Sequence, residues 1–513
     1  MQLSKGQRAC LLAVAAALLA VGLAPWPQSG APQSEAAQPS GKCPAGFTSS
    51  HGAASLPAGH PPVSARAPAP PAALYFDPVP ALEEPSGAWA CRGSRCVALT
   101  LSARAEAEVG LLAWLQSHAS AVEALLEALV NIDSATSNKA GVDAVADALE
   151  AHLRSAGVEV ERRRQLAVGD HLLARVRCGA EDETAQAVRV LLMGHMDTVW
   201  ADGTAAQRPY SRSPDGTRAF GPGVSDMKVG LVSAALILEA MQSNGCAGAG
   251  PMVLEALFTS DEEVGSVVSR HAIREAATGA TAVMNMESGS GEGAIAAARK
   301  GSLTLSFEVA GKAAHAGNAP HEGASAVEAF SRKVLRMHAL NKYTVGVPGV
   351  KGVDGITVSV GTVAGGEAPN VIPDRVAATV NARAWTQAEL AMLNATLRSI
   401  IADADVAGTS GRVTAEATFP PFEQTAASAG LLTLFRRVAA TLGGEQVSAD
   451  RRGGAADSAF ASATGAPTLC AVGPLGDDAH AVTEYLLLDS IVPRTQLVAL
   501  TCLRIARAGG LTL

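Results

Sequence analysis

Three runs in this chain are apolar enough to be inner strands of a sheet, and each ends on a histidine or a carboxylate: VRVLLMGHMD, MVLEALFTSDEE and TAVMNMES. Strands without a polar side must be covered on both faces, which argues for a mixed, mostly parallel sheet flanked by helices. The intervening segments fit that reading. GLVSAALILEAMQ and SVVSRHAIREAA read as helices, and Val122, Leu125, Leu126, Leu129 and Val130 recur at helical spacing ahead of them. Near Lys300 the pattern changes. GSLTLSFEVAG, GITVSVGTVAGG and DRVAATVNARA alternate like half-exposed strands, with SAVEAFSRKVLRMHAL and TQAELAMLNATLRSIIADA as helices between and after them. That order describes a small α+β domain inserted into the first. RVTAEATF and LLTLFRRVAATLG are expected to lead back to APTLCAVGP and a last helix, completing the first sheet.

At 513 residues the chain exceeds one ordinary domain. It divides into a targeting segment (1–24), a linker (25–104), an α/β domain in two parts (105–299 and 412–513) and the inserted domain (300–411). Lys5 and Arg8 precede an uncharged apolar run from Ala9 to Ala24, the order of a secretory signal. Such a run is shorter than the about 20 residues of a spanning helix, yet uncleaved it would tether the chain to a membrane. The expected location is periplasmic or secreted; a mis-assigned start codon would make it cytoplasmic. The Pro-, Ala-, Gly- and Ser-rich stretch that follows buries too little apolar surface to offset its ordering entropy, so a disordered linker is expected. Within it, Cys91 and Cys96 are spaced to close a small loop after export.

A balance of 40 Lys and Arg against 48 Asp and Glu offers no basic footprint for nucleic acid. The eight cysteines are too sparse for a disulfide scaffold and form no CxxC pair. Metal chemistry here must therefore rest on His, Asp and Glu. His195, Asp226, Glu263, Glu287 and His480 each fall at or after a strand end or in a loop, where open α/β sheets place their sites. Imidazoles mixed with carboxylates suit zinc, and a carboxylate can bridge two ions. Asp197, two residues after His195, is placed to orient its ring. GPGVSDMKVG reads either as the turn carrying a bridging Asp226 or as a helix cap or phosphate loop, although it lacks the full nucleotide-binding patterns. Asp261, Glu262 and Glu263 either meet a cation or cap the next helix.

In order, GHMDTV, GPGVSDMKVG, TSDEEVGS, ES, KAAHAG, PNVIP and DDAH resemble the co-catalytic dizinc hydrolases: glutamate carboxypeptidases, aminoacylases, succinyl-diaminopimelate desuccinylases and di- and tripeptidases. The resemblance runs from about Ala105 to the C-terminus and looks most like the bacterial glutamate carboxypeptidases. It implies a zinc-exopeptidase α/β fold with an inserted ferredoxin-like lid that forms a homodimer. It implies that Asp226 bridges two zinc ions, with cobalt or manganese as substitutes. His195 and Glu287 would complete one site, Glu263 and His480 the other. Glu262 would be the general base and Asp197 the orienter, with a cis peptide after Asp226. His315 would polarise the substrate carbonyl, often from a second subunit's lid. Asn370, Arg383 and Arg451 would hold the substrate carboxylate. The implied reaction is hydrolysis of the amide beside a C-terminal, glutamate-like residue of a peptide or N-acyl amino acid. Aminoacylase or dipeptidase chemistry is the alternative, and a catalytically silent zinc protein a remote one. GGAADS departs from the relatives' GGTDA or GGSD, and the Pro-rich segment has no counterpart in the family core.

Overall fold

The computed structural model describes residues 88–511, apart from 93–94, 100, 180–186, 245, 247 and 444–446. The signal-like segment and most of the Pro/Ala-rich stretch lie outside the described residues. At the end of that stretch Ala88–Arg92 pairs antiparallel with Arg95–Leu99, Cys91 standing in register with Cys96. Strands of five residues are too short to show as periodicity in a Pro- and Ala-rich background, and the linker reading missed them. The side chains of both cysteines are outside the described part.

The main sheet has nine strands. Its centre is built from the three apolar runs. Val188–His195 lies between Ala282–Asn285 and Met252–Thr259, parallel to both. Successive residues of this strand enter different cores. Val190 and Leu192 join the cluster containing Val232 and Leu236 of helix Val229–Ser243, whereas Leu191 and Met193 join Ile273 of helix Ser269–Ala277 and Phe460. Alternation across a strand with both sides apolar thus produces a sheet covered on both faces. Burying each Leu or Val stabilises the fold by about 1.5–3 kcal/mol. Because the three strands are parallel, their C-terminal ends emerge on one edge, which is where the polar residues stand. Outward from Met252–Thr259 the sheet turns antiparallel through His171–Cys178 and Glu159–Arg163.

The inserted domain is an antiparallel sheet in the order Lys342–Val345, Val353–Gly365, Arg375–Ala384, Gly301–Ala310, Ser410–Phe419. Leu303, Leu305, Phe307 and Val309 share a core with Ala326 and Met337 of helix Ala326–His338 and with Leu390 and Leu397 of helix Gln387–Ala402, so both helices cover one face. Thr386 and Glu389 form a reciprocal capping box at the start of the second helix. Ser410–Phe419, expected to lead back towards the first sheet, instead pairs with Gly301–Ala310 as this sheet's edge. Alternation marks a strand but does not name its partner.

Cys178, at the end of strand His171–Cys178, is bonded to Cys246 beyond helix Val229–Ser243, with a Cα–Cα distance of 5.4 Å. Among the described residues no helix is long and apolar enough to cross a membrane. The bond joins positions 68 residues apart, and closing a loop of that length stabilises by about 4 kcal/mol in the chain-entropy account. The double variant Cys178→Ser, Cys246→Ser is expected to lose about 2–4 kcal/mol in urea unfolding; equal stability of parent and variant would contradict the staple.

Candidate metal centre

His195 is the last residue of its strand and is buried. Its Nδ1 lies 2.9 Å from the carbonyl oxygen of Asp197 and 3.4 Å from that residue's carboxylate. A carbonyl only accepts, so Nδ1 carries the hydrogen and Nε2 presents a lone pair. Asp197, fully buried, accepts the Thr136 hydroxyl at 2.6 Å and the backbone N–H groups of Glu262 and Glu263, each at 3.2 Å. Burial works to raise its pKa, but the hydrogen bonds from His195 and Thr136 prevail and hold it below the ordinary carboxylate range. Asp197 therefore orients the imidazole and ties two strand ends together.

The three acids after Met252–Thr259 divide their tasks. Asp261 turns inward and accepts the N–H groups of Val268 and Ser269 at 2.7 and 3.0 Å, together with the Ser269 hydroxyl, at the start of helix Ser269–Ala277. Glu262 and Glu263 line the cleft.

Asp226 sits in the glycine-rich turn. Gly223 has φ +73°, and a Cβ there would stand 2.6 Å from Cγ2 of Thr198. Asp226 itself is non-helical (φ −114°, ψ 90°), so it interrupts the helix instead of capping it, and the Asp226–Met227 peptide is cis, as the resemblance implies. Its backbone N–H donates to the Glu484 carboxylate at 3.0 Å. The N–H groups of Gly223 and Ser225 and the Trp200 indole donate to the same group at 3.1, 2.9 and 3.1 Å. Lys228 is buried and donates to the Ile132 carbonyl at 2.8 Å, a structural role.

These loops bring all five metal-type residues together. Nε2 of His195 is 3.2 Å from Oδ1 of Asp226 and 3.5 Å from Oε1 of Glu287. Nε2 of His480, a residue at φ +66°, is 3.1 Å from Oδ2 of Asp226 and 3.2 Å from Oε2 of Glu263. Asp226 thus turns one oxygen to each group. Ligands about 2.0–2.1 Å from one zinc ion in a tetrahedral array stand about 3.3 Å apart, which these spacings match. Despite the short approach, His195 Nε2 makes no hydrogen bond, and neither does the buried Oε1 of Glu263. A lone pair facing two carboxylates calls for a cation between them. The titration behaviour agrees. Glu262 is pushed well above the ordinary carboxylate range, by burial first and then by Asp457, Glu263 and Glu287 against the pull of His195. Glu263 rises to about 7 by burial, against the hydrogen bond from His480. His480 rises to about 10 through its hydrogen bonds to Asp226 and Glu263. Burial works to raise Asp226 as well, but His195 and His480 prevail and hold it below the ordinary carboxylate range, both histidines rising in turn, so the cluster holds protons where positive charge is wanting. The residues fit a two-metal group.

The other expected site residues lie elsewhere. His315 and Asn370 are exposed and adjacent, the Ala316 N–H donating to the Asn370 carbonyl at 2.9 Å, and neither lines the cleft. Nδ1 of His315 accepts the N–H groups of Gly317 and Asn318, each at 3.1 Å, which leaves Nε2 as its donor. Arg383 donates to the Gly453 carbonyl at 2.9 Å, and Arg451 stacks 4.0 Å from the Trp385 ring centroid while facing Asp354 at 3.3 Å. Both sit where the two domains join, outside the cleft lining. In GGAADS, Gly454 and Ala455 line the cleft, whereas Asp457 turns inward to the Ser266 and Thr259 hydroxyls. Sequence reasoning missed Glu484, Thr136, Arg299, Arg452 and Lys351. Only Glu484 left a trace, as an acid four residues beyond His480.

Replacing Glu484 by Gln sets an amide NH₂ among N–H groups that need an acceptor. Affinity for the divalent ion is expected to fall about 10–100-fold by competition with a chelator, while the chain still folds. Unchanged affinity would remove this carboxylate's organising role.

Residues 191–504 match the profile of peptidase family M20/M25/M40. Carboxypeptidase G2 of Pseudomonas sp. (strain RS-16) is 28% identical over 394 residues, covering 74% of this chain and 88% of that protein. A putative succinyl-diaminopimelate desuccinylase of Mycobacterium tuberculosis is 29% identical over 267 residues, 50% of this chain and 66% of the relative. Among solved structures, a dinuclear metal-binding M20 peptidase of Bacillus subtilis superposes with a TM-score of 0.55 at 13% identity, covering 76% of this chain and 99% of that one. A tripeptidase of Staphylococcus aureus gives 0.60 at 19% identity, covering 76% and 98%. At such identities the structures speak for the fold alone. The matched span begins within the strand of His195 and runs into the last helix, enclosing all five residues that face one another across the cleft. The chain belongs to peptidase family M20/M25/M40 and is a metallopeptidase.

Proposed function

We propose that this protein is a zinc-dependent carboxypeptidase that hydrolyses the amide bond beside a C-terminal, glutamate-like residue. The observation that carries the reading is Glu262. It lines the cleft beside the five clustered residues and, among the described residues, its carboxylate accepts no hydrogen bond and forms no salt bridge, the charges of His195 and Arg299 acting on it only from farther away. One zinc held by His195, Asp226 and Glu287, and another by Asp226, Glu263 and His480, would polarise the scissile carbonyl and acidify a water. Glu262 takes the proton of the attacking water and hands it to the leaving nitrogen. Asp197 keeps the His195 ring in the tautomer whose Nε2 is free. Similarity to carboxypeptidase G2 over most of that enzyme supports the carboxypeptidase assignment; an aminoacylase or dipeptidase would use the same groups on a different substrate.

Arg383, Arg451 and Asn370 would hold the substrate carboxylate when the domains close. Because His315 and Asn370 stand outside this cleft, their action fits a homodimer in which each lid serves the other subunit. Leu335 and Val345, 73% and 72% exposed on the lid, offer apolar surface for it. The Cys178–Cys246 bond supports export, since such bonds persist in oxidising compartments; a native protein that begins at Met1 and fractionates with the cytosol would count against it.

The test is hydrolysis of a panel of N-acyl and peptidyl amino acids by the full chain, with light scattering on the same samples. Glutamate-terminated substrates are expected to be preferred. Glu262→Gln should lose about 10²-fold or more in kcat while retaining its metal. An active monomer would remove the dimer, and a Glu262→Gln protein of ordinary activity would remove the mechanism.

A further inference from the structure

The lid reaches into the cleft of the α/β domain. Its strands Lys342–Val345 and Val353–Gly365 are joined by a glycine-rich tip, where Gly349 and Gly352 take φ of +76° and +97°. Between those glycines Val350 and Lys351 pair, parallel, with Arg451 and Arg452 as the outermost strand of the main sheet. The Arg451 N–H donates to the Gly349 carbonyl at 2.8 Å. A segment of the lid thus becomes part of the other domain's sheet, and it sets Lys351 in the lining of the cleft that holds Asp226, Glu262 and His480.

Among the described residues three cations line that cleft: Arg299, Lys351 and Arg452. Arg452 is committed to Asp450 at 2.8 Å and to the carbonyls of Ala294 and Ser288 at 2.9 and 3.4 Å. Arg299 is directed to Cys470 Sγ at 3.1 Å and to the carbonyls of Ala455 and Gly454 at 3.3 and 3.4 Å. Among the described residues Lys351 has a single partner, the Asp477 carboxylate at 2.6 Å, and its side chain is 52% exposed. An ammonium carries three donors, and an ion pair this open to water is worth little. An arriving carboxylate can share the ammonium with Asp477 or replace it at small cost.

We infer that Lys351 is a specificity-determining residue, carried in by the lid, that binds a carboxylate of the substrate's C-terminal residue. The inference rests on the carboxypeptidase reading. It adds a recognition group supplied by the hairpin tip, so that an anion in the cleft is read only while the tip is docked on the sheet.

The experiment has two stages. The zinc-loaded full chain is first assayed on N-acyl-glutamate and N-acyl-leucine. Binding of these compounds and of N-acyl-leucinamide is then measured by calorimetry in the Glu262→Gln protein, with Lys351 intact, Lys351→Ala or Lys351→Arg. Lys351→Ala is expected to weaken carboxylate ligands about tenfold or more relative to the amide, and Lys351→Arg to restore most of the loss. A loss confined to the glutamate ligand assigns Lys351 to the side-chain carboxylate; a loss shared with the leucine ligand assigns it to the α-carboxylate. Equal weakening of all three ligands would mean that the tip only positions the lid, and no weakening would mean that Lys351 is a bystander; either overturns the inference while leaving the carboxypeptidase intact. An enzyme that hydrolyses neither N-acyl amino acid removes the parent reading and this inference with it.

Discussion

The carboxylate of Asp226 stands between His195 and His480, two residues from different halves of the chain, with one oxygen 3.2 Å from the first and the other 3.1 Å from the second. Bringing Glu263 and Glu287 to the same place costs a great deal of desolvation unless positive charge is supplied. The chain meets this by setting each acid on a loop fixed from behind. Asp197 gathers the turn of Glu262 and Glu263 through two backbone N–H bonds, and Glu484 gathers the turn of Asp226 through three. Neither of these buried carboxylates needs to touch a metal, yet both decide where the metal-facing groups stand.

That arrangement follows from the sheet. Parallel strands buried on both faces leave little place for polar side chains along their length, the Arg189–Glu255 pair at 2.9 Å being a mutually neutralised exception, so the chemistry gathers where the strands end. Val188–His195, Met252–Thr259 and Ala282–Asn285 are the innermost such strands, and the residues just past their ends are those that converge. The Gly223 turn completes the approach, since a side chain there would collide with Thr198. The lid takes part as well. Its glycine-rich tip pairs with the outermost segment of the main sheet, so the cleft wall is shared by both domains.

Much of this was legible in the residues. Runs such as VRVLLMGHMD show strand, burial and site together, because period and polarity change within a few positions. His195, Glu263 and Glu287 could be singled out for that reason, whereas Asp226 in its glycine-rich turn and His480 in its loop stood out only through the order of motifs that carries the family resemblance. What stayed hidden depends on contacts between distant segments. Nothing about Lys351 distinguishes it from any other surface lysine until the tip docks. Cys178 and Cys246 are a strand end and a post-helix residue whose approach follows only from the packing of that helix on the sheet. Ser410–Phe419 has a clear alternation but chooses its neighbour by the path of the chain. His315, Asn370, Arg383 and Arg451 carry motif-level signals, yet the fold leaves them outside the cleft lining, where pattern alone could not place them.

Asp226, with one oxygen turned to His195 and the other to His480, is placed to serve two cations at once, and metal stoichiometry in the folded full chain tests that bridge. Zinc titration of the metal-free protein, with content checked by elemental analysis, should reach two equivalents per chain. Asp226→Asn should weaken both binding events. A folded protein that takes up one equivalent, or an Asp226→Asn variant that binds two as tightly as the parent, would contradict the bridge and the mechanism built on it.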